Sequence, residues 1–136
     1  METVPLAEVT RLFKRNTFGA LRVAQAVLPQ MRERRAGMLI FVSSIQGRIA
    51  IALIGPYTAT KWALEAFAET LAIEVRHFGV SVCVLEPGAV SSGGAERAKT
   101  LLGDDNLYRP CSISSPGFAP RRSRSSKSPP RLSRRW

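Results

Sequence analysis

Two six-residue apolar runs, MLIFVS at 38–43 and VSVCVL at 80–85, constrain this chain more than any other feature. Both are nearly continuous rather than alternating, the pattern of strands buried on both faces of a parallel sheet. Consecutive parallel strands cannot be joined by a hairpin; they need a crossover of a dozen or more residues, usually a helix. Residues 57–78 supply one: Ala63, Ala66, Phe67, Thr70, Leu71 and Glu74 follow helical spacing, and Gly79 ends the pattern. The expected core is a βαβ unit. Open α/β sheets bind ligands at the carboxyl ends of their strands, where Ser43–Ser44 and Pro87–Gly88 both fall.

Another helix is expected before the unit, from Pro5 to about Arg35. Leu6, Val9, Leu12 and Phe13 recur at three- and four-residue intervals, and Ala20, Val23, Ala24 and Val27 continue one face. Thr3 is a candidate cap with Pro5 in the first turn, and Gly37 is the expected stop. The turn NTFG is unusual, because Asn and Gly both disfavour a helix interior. Pro29 is expected to weaken or kink the last turn. Between MLIFVS and the crossover helix, SIQGRIAIALIG reads as a loop with some apolar cover.

The net charge of +10 suggests a polyanion partner until it is divided along the chain. Residues 1–108 hold 12 basic and 10 acidic side chains, whereas residues 109–136 hold 8 basic and none acidic. The body therefore offers no charge argument for nucleic acid. Residues 105–136, rich in Ser, Pro and Arg, cannot bury enough apolar surface to offset their ordering entropy. They are read as a disordered basic tail behind a domain spanning 1–104. Cys83 lies in an apolar strand, where a buried thiol is expected, and Cys111 lies in the tail. Two cysteines and the lone His77 suggest neither a disulfide framework nor a metal site. No signal peptide or membrane-length apolar run is visible, so a cytoplasmic protein is expected, without membrane contact.

The crossover segment GPYTATKWALEAFAETLAIEV sets Tyr57 and Lys61 one turn apart on one helix face. Alone, such a pair is common by chance, and helix-start packing with a solvated lysine accounts for it. The neighbouring segments narrow the reading. Asn16 lies in RNTFGA, followed by LPQM; Ser44 lies in FVSSIQG, 28 positions after Asn16 and 13 before Tyr57. EPGAVSS follows the last strand directly. On these motifs, residues 5 to about 92 resemble the second half of the short-chain dehydrogenases/reductases, oxidoreductases using NAD or NADP on a Rossmann sheet. The resemblance implies an α/β chain with a partial Rossmann-type, doubly wound fold: two long helices and a parallel βαβ unit. It also implies a small alcohol or carbonyl substrate interconverted by hydride transfer.

By that resemblance the catalytic set is Asn16, Ser44, Tyr57 and Lys61. Tyr57 is the acid/base, and a neighbouring lysine cation favours its phenolate. Lys61 also holds the nicotinamide ribose, Ser44 stabilises charge on the substrate oxygen, and Asn16 holds a water leading to Lys61. An Asn facing solvent from mid-helix is the competing account of Asn16. Pro87, Gly88, Val90 and Ser92, together with Tyr57 and Lys61, are the implied cofactor contacts. Ser92 stands where the family usually has Thr.

The family's first half has no counterpart in this sequence. A Gly-rich phosphate loop after a first strand is absent, the pair Gly93–Gly94 following the last strand instead. The expectation is a catalytic half with marginal stability and one bare sheet face. Nothing beyond about residue 104 matches the family's last strand, and the tail has the composition of a shifted reading frame of GC-rich DNA. Two alternatives stand beside the enzyme reading. One is an inactive interaction module that associates as a homo-oligomer through the two long helices. The other is polyanion binding by the tail, for which nucleic acid is the less favoured partner.

Overall fold

Pro5 sets the start of the first helix. In the computed structural model, which describes residues 1–88, it stands in extended geometry (φ −60°, ψ 133°) ahead of α1 (Leu6–Phe13). No side chain caps this helix, so Thr3 does not serve as the cap. The helix then widens into one π turn, Lys14–Phe18, before continuing as α2 (Gly19–Glu33). The segment that disfavoured a helix interior is where the hydrogen-bond ladder changes pitch, an adjustment often found at functional sites. Pro29 is carried inside α2, which Arg34 caps at its C-terminus. Gly37 is not the stop. Arg35 takes the left-handed conformation (φ 51°) instead, and Gly37 opens the next strand with the Met31 side chain where a Cβ would stand.

Strand β1 (Gly37–Val42) and strand β2 (Val80–Leu85) form a parallel pair, in register from Gly37 opposite Val80 to Val42 opposite Leu85. The crossover is α3 (Gly55–Val75), opened by Pro56 and prolonged by a 3-10 turn, Arg76–Phe78. Gly79 then takes φ 73° with the Arg35 carbonyl oxygen where a Cβ would stand, so any side chain would collide. The α/β class and the parallel βαβ unit thus stand as expected.

Both helices cover one face of the sheet. Ala24 of α2, Leu39 and Phe41 of β1, and Leu64 and Ala68 of α3 form the buried cluster, with Val27, Leu28, Leu71, Val82 and Val84 packed around it. The strands are therefore buried on one face only, although their pattern suits two. On the other face Met38, Ile40 and Val42 are 61%, 56% and 58% exposed. Cys83 lies on that side and is exposed, not buried. The inner face of α3 also differs from the expected one. Thr60, Leu64, Ala68 and Val75 are buried, whereas Ala66, Phe67, Thr70 and Glu74 are exposed. On α2, Ala24 is buried and Val23 is exposed. Alanine-rich helices have apolar residues on several sides, so spacing alone does not select the inner one.

Among the described residues no helix is long and apolar enough to cross a membrane. Val90, Ser92, Cys111 and the tail lie outside the described residues.

Candidate active site

Helix α3 begins two residues before Tyr57, so Tyr57 and Lys61 occupy its first turns beside the carboxyl end of β1. The Lys61 ammonium donates to the carbonyl of Val42, the last residue of β1, at 2.9 Å. Its Nζ lies 5.6 Å from the centroid of the Tyr57 ring, and both side chains are half-buried. Burial lowers the Lys61 pKa from its usual value; Glu65, one turn further along α3, opposes this, and Arg15 of the π turn adds to it. Sequence spacing set Tyr57 and Lys61 on one face. The fold adds the strand carbonyl that orients the ammonium.

Asn16 faces inward. Its Nδ2 donates to Thr60 Oγ1 at 3.2 Å, and its Oδ1 accepts from Arg15 Nε at 3.2 Å. Thr60 Oγ1 in turn donates to the Tyr57 carbonyl at 2.7 Å. The next residue, Thr17, is fully buried and donates to the Thr60 carbonyl at 3.0 Å. Two successive residues of the π turn thus reach Thr60, which directly precedes Lys61. An ordinary helical turn rotates neighbours about 100° apart. Asn16 is thus tied to the Tyr57–Lys61 turn through Thr60.

Ser44 is buried and extended (φ −165°, ψ 159°), capping the 3-10 turn Ile45–Gly47 by accepting from the Gln46 amide at 3.3 Å. That cap uses the oxygen lone pair and leaves the hydroxyl hydrogen free to donate. The Ser43 amide donates to the Leu85 carbonyl at 2.8 Å and the Ile45 amide to the Pro87 carbonyl at 3.1 Å. These bonds stitch the segments after β1 and β2 together past the end of the ladder. Pro87 and Gly88 are exposed, and among the described residues nothing stands where a Cβ of Gly88 would lie.

Three residues of this rim were not singled out from the sequence. Thr60 carries the link to Asn16; Arg48 pairs with Glu65, Glu69 and Glu86; Glu65 is buried with neither carboxylate oxygen hydrogen-bonded. A signal existed in the i, i+4 ladder Lys61–Glu65–Glu69, which continues the Tyr57–Lys61 face with charge.

A family model described as short chain dehydrogenase matches residues 1–101. A probable short-chain type dehydrogenase/reductase of Helicobacter pylori is 37% identical over 98 residues, 72% of this chain and 36% of that protein. Among solved structures, a short-chain dehydrogenase from Streptomyces avermitilis aligns with a TM-score of 0.65 and 42% identity, over 68% of this chain and 34% of its own. A metagenomic short-chain oxidoreductase, solved in complex with NADP, aligns with a TM-score of 0.62 and 30% identity, over 68% and 42%. The chain spans about a third of the length of the curated relatives it matches. The matched segment takes in both strands, the helices on their shared face and the rim between them: the chain belongs to the short-chain dehydrogenase family.

Proposed function

We propose that this chain carries the catalytic half of an NAD(P)-dependent oxidoreductase that interconverts an alcohol and a carbonyl in an aqueous, reducing compartment. The observation that supports this most is the Lys61 ammonium at the end of β1, bonded to the Val42 carbonyl beside the Tyr57 ring. Tyr57 moves the proton at the substrate oxygen. Ser44, with its hydroxyl hydrogen free, donates to the same oxygen. Asn16, through Thr60, fixes the turn that carries both.

The residues present fit one end of the dinucleotide. Lys61 spends one of its three donors on Val42, which leaves two for ribose hydroxyls, and the exposed backbone at Pro87–Gly88 is, among the described residues, uncovered for a flat ring. Val90 and Ser92 belong to the same proposed contact set. When bound, the nicotinamide supplies or accepts the hydride. Among the described residues, nothing matches the pyrophosphate end. The turn after β1 is occupied by its own contacts, Gly47 lying against Glu65 and Ser43.

A thermal melt of the purified chain, with and without NADH or NADPH at about millimolar concentration, tests this reading, since ligand bound only by the native state raises the midpoint. The expected result is an upward shift with one nucleotide, retained in Tyr57→Phe while carbonyl turnover falls by about a hundredfold or more. A midpoint indifferent to both nucleotides would overturn it. One observation favours a second role, self-association: Phe18, Val23, Trp62, Phe67 and Ile73 are all exposed on the long helices.

A further inference from the structure

We propose that Arg48 is a positioning residue that clasps the three segments bearing the candidate catalytic groups. Its consequence for chemistry rests on the catalytic reading above; its existence rests on geometry. Arg48 directly follows the Ser44-capped turn, its own amide donating to the Ile45 carbonyl at 3.0 Å. Each nitrogen of its guanidinium then meets a different carboxylate. Nε donates to Glu86 Oε1 at 2.9 Å, next to Pro87; Nη1 donates to Glu69 Oε1 at 2.9 Å; Nη2 lies 3.2 Å from Glu65 Oε2. Glu65 and Glu69 stand one and two turns after Lys61 on α3. One side chain thus spans the Ser44 turn, the Tyr57–Lys61 helix and the segment leading to Pro87–Gly88.

The chemistry suits a clasp rather than a decoration. A planar guanidinium presents donors in fixed directions, so three partners hold it and it holds three partners; a lysine ammonium on a flexible stem cannot reproduce that fork. Glu65 sharpens the point, because its side chain is only 5% exposed and its oxygens have no hydrogen bond. Arg48 and, one turn back, Lys61 are the cations that offset this buried carboxylate. Without Arg48, three carboxylates converge, and among the described residues the buried one keeps only Lys61, one turn back, to offset it. The resulting repulsion between Glu86 and the α3 carboxylates bears on the segment leading to Pro87, whose carbonyl accepts from the Ile45 amide.

Residue-resolved amide hydrogen exchange on the full chain tests the clasp without requiring turnover. In Arg48→Met, exchange at Ile45 and Gly47 is expected to accelerate by about tenfold relative to the amides of the β1–β2 ladder, the mark of a local opening. Arg48→Lys is expected to restore less than half of the protection. Equal acceleration at every amide would show mere loss of stability and overturn the proposal, as would no change. Should Arg48→Met fail to fold, Glu86→Gln keeps the buried pair and carries the same test at Ile45. Selective exchange in a chain that binds no nucleotide would leave the clasp standing while sinking the catalytic reading. Unchanged exchange in a chain that turns over would do the reverse.

Discussion

Leu39, Phe41, Val82 and Val84 point from the sheet towards α2 and α3, where they join or pack against the buried cluster. Met38, Ile40, Val42, Cys83 and Leu85, on the opposite side of the same two strands, are exposed. The two sets differ little in hydrophobicity and completely in surroundings. A strand's apolarity therefore reports the environment it is suited to, not the cover it receives. The buried side supplies what stability the sheet has, at roughly 1.5–3 kcal/mol for each large apolar side chain removed from water. The bare side, with an edge on each strand unpaired among the described residues, is an adhesive surface.

Truncating one residue on each side gives the most direct contrast. Phe41→Ala is expected to cost about 3–5 kcal/mol, enough to abolish cooperative unfolding in a core this small. Ile40→Ala, one residue away on the bare face, should cost about 0.5 kcal/mol. Urea titration of both variants measures the difference, and equal costs would break the contrast. A charge on the bare face comes next in size. Ile40→Lys is expected to leave the midpoint nearly unchanged while lowering self-association in sedimentation velocity. Unaltered association would move the adhesive surface to the exposed helix residues instead.

Lys61 sits where the covered face meets the open rim, and its effect is the smallest. Because burial disfavours its ammonium, the folded chain gives up this proton at lower pH than the unfolded chain does. Between those two values the unfolded chain binds more protons, so stability rises with pH. The gain is complete above the unfolded value of about 10.4 and is lost as pH falls through the folded one. Urea midpoints from about pH 8 to 10.5 are expected to drift upward in the wild type and to flatten in Lys61→Met. Parallel curves would mean that the amine is more solvated than its bond to Val42 indicates.

How far the site could be read in advance varies by residue. That Tyr57 and Lys61 share a face was legible from helical spacing, whereas their proposed roles came from the resemblance. Ser44 and Pro87–Gly88 were legible because each follows an apolar run and so falls at a strand's carboxyl end. The Asn16–Thr60 bond was not, because it joins two helices at positions 44 apart in sequence. Arg48 was missed for a related reason: its partners lie 17, 21 and 38 positions downstream in sequence.

Period and punctuation were enough for the order of elements. Continuous apolar runs specify strands, the 57–78 spacing specifies the crossover, and Gly79 was identified as the residue that ends it. These are local properties, decided within a few residues of each position. Which side of α3 turns inward, which sheet face stays bare, and that Arg35 rather than Gly37 turns the chain out of α2 are not local. Each depends on which surfaces meet when α2 and α3 close over one side of the sheet, and burial is a relation between segments that a single segment does not encode.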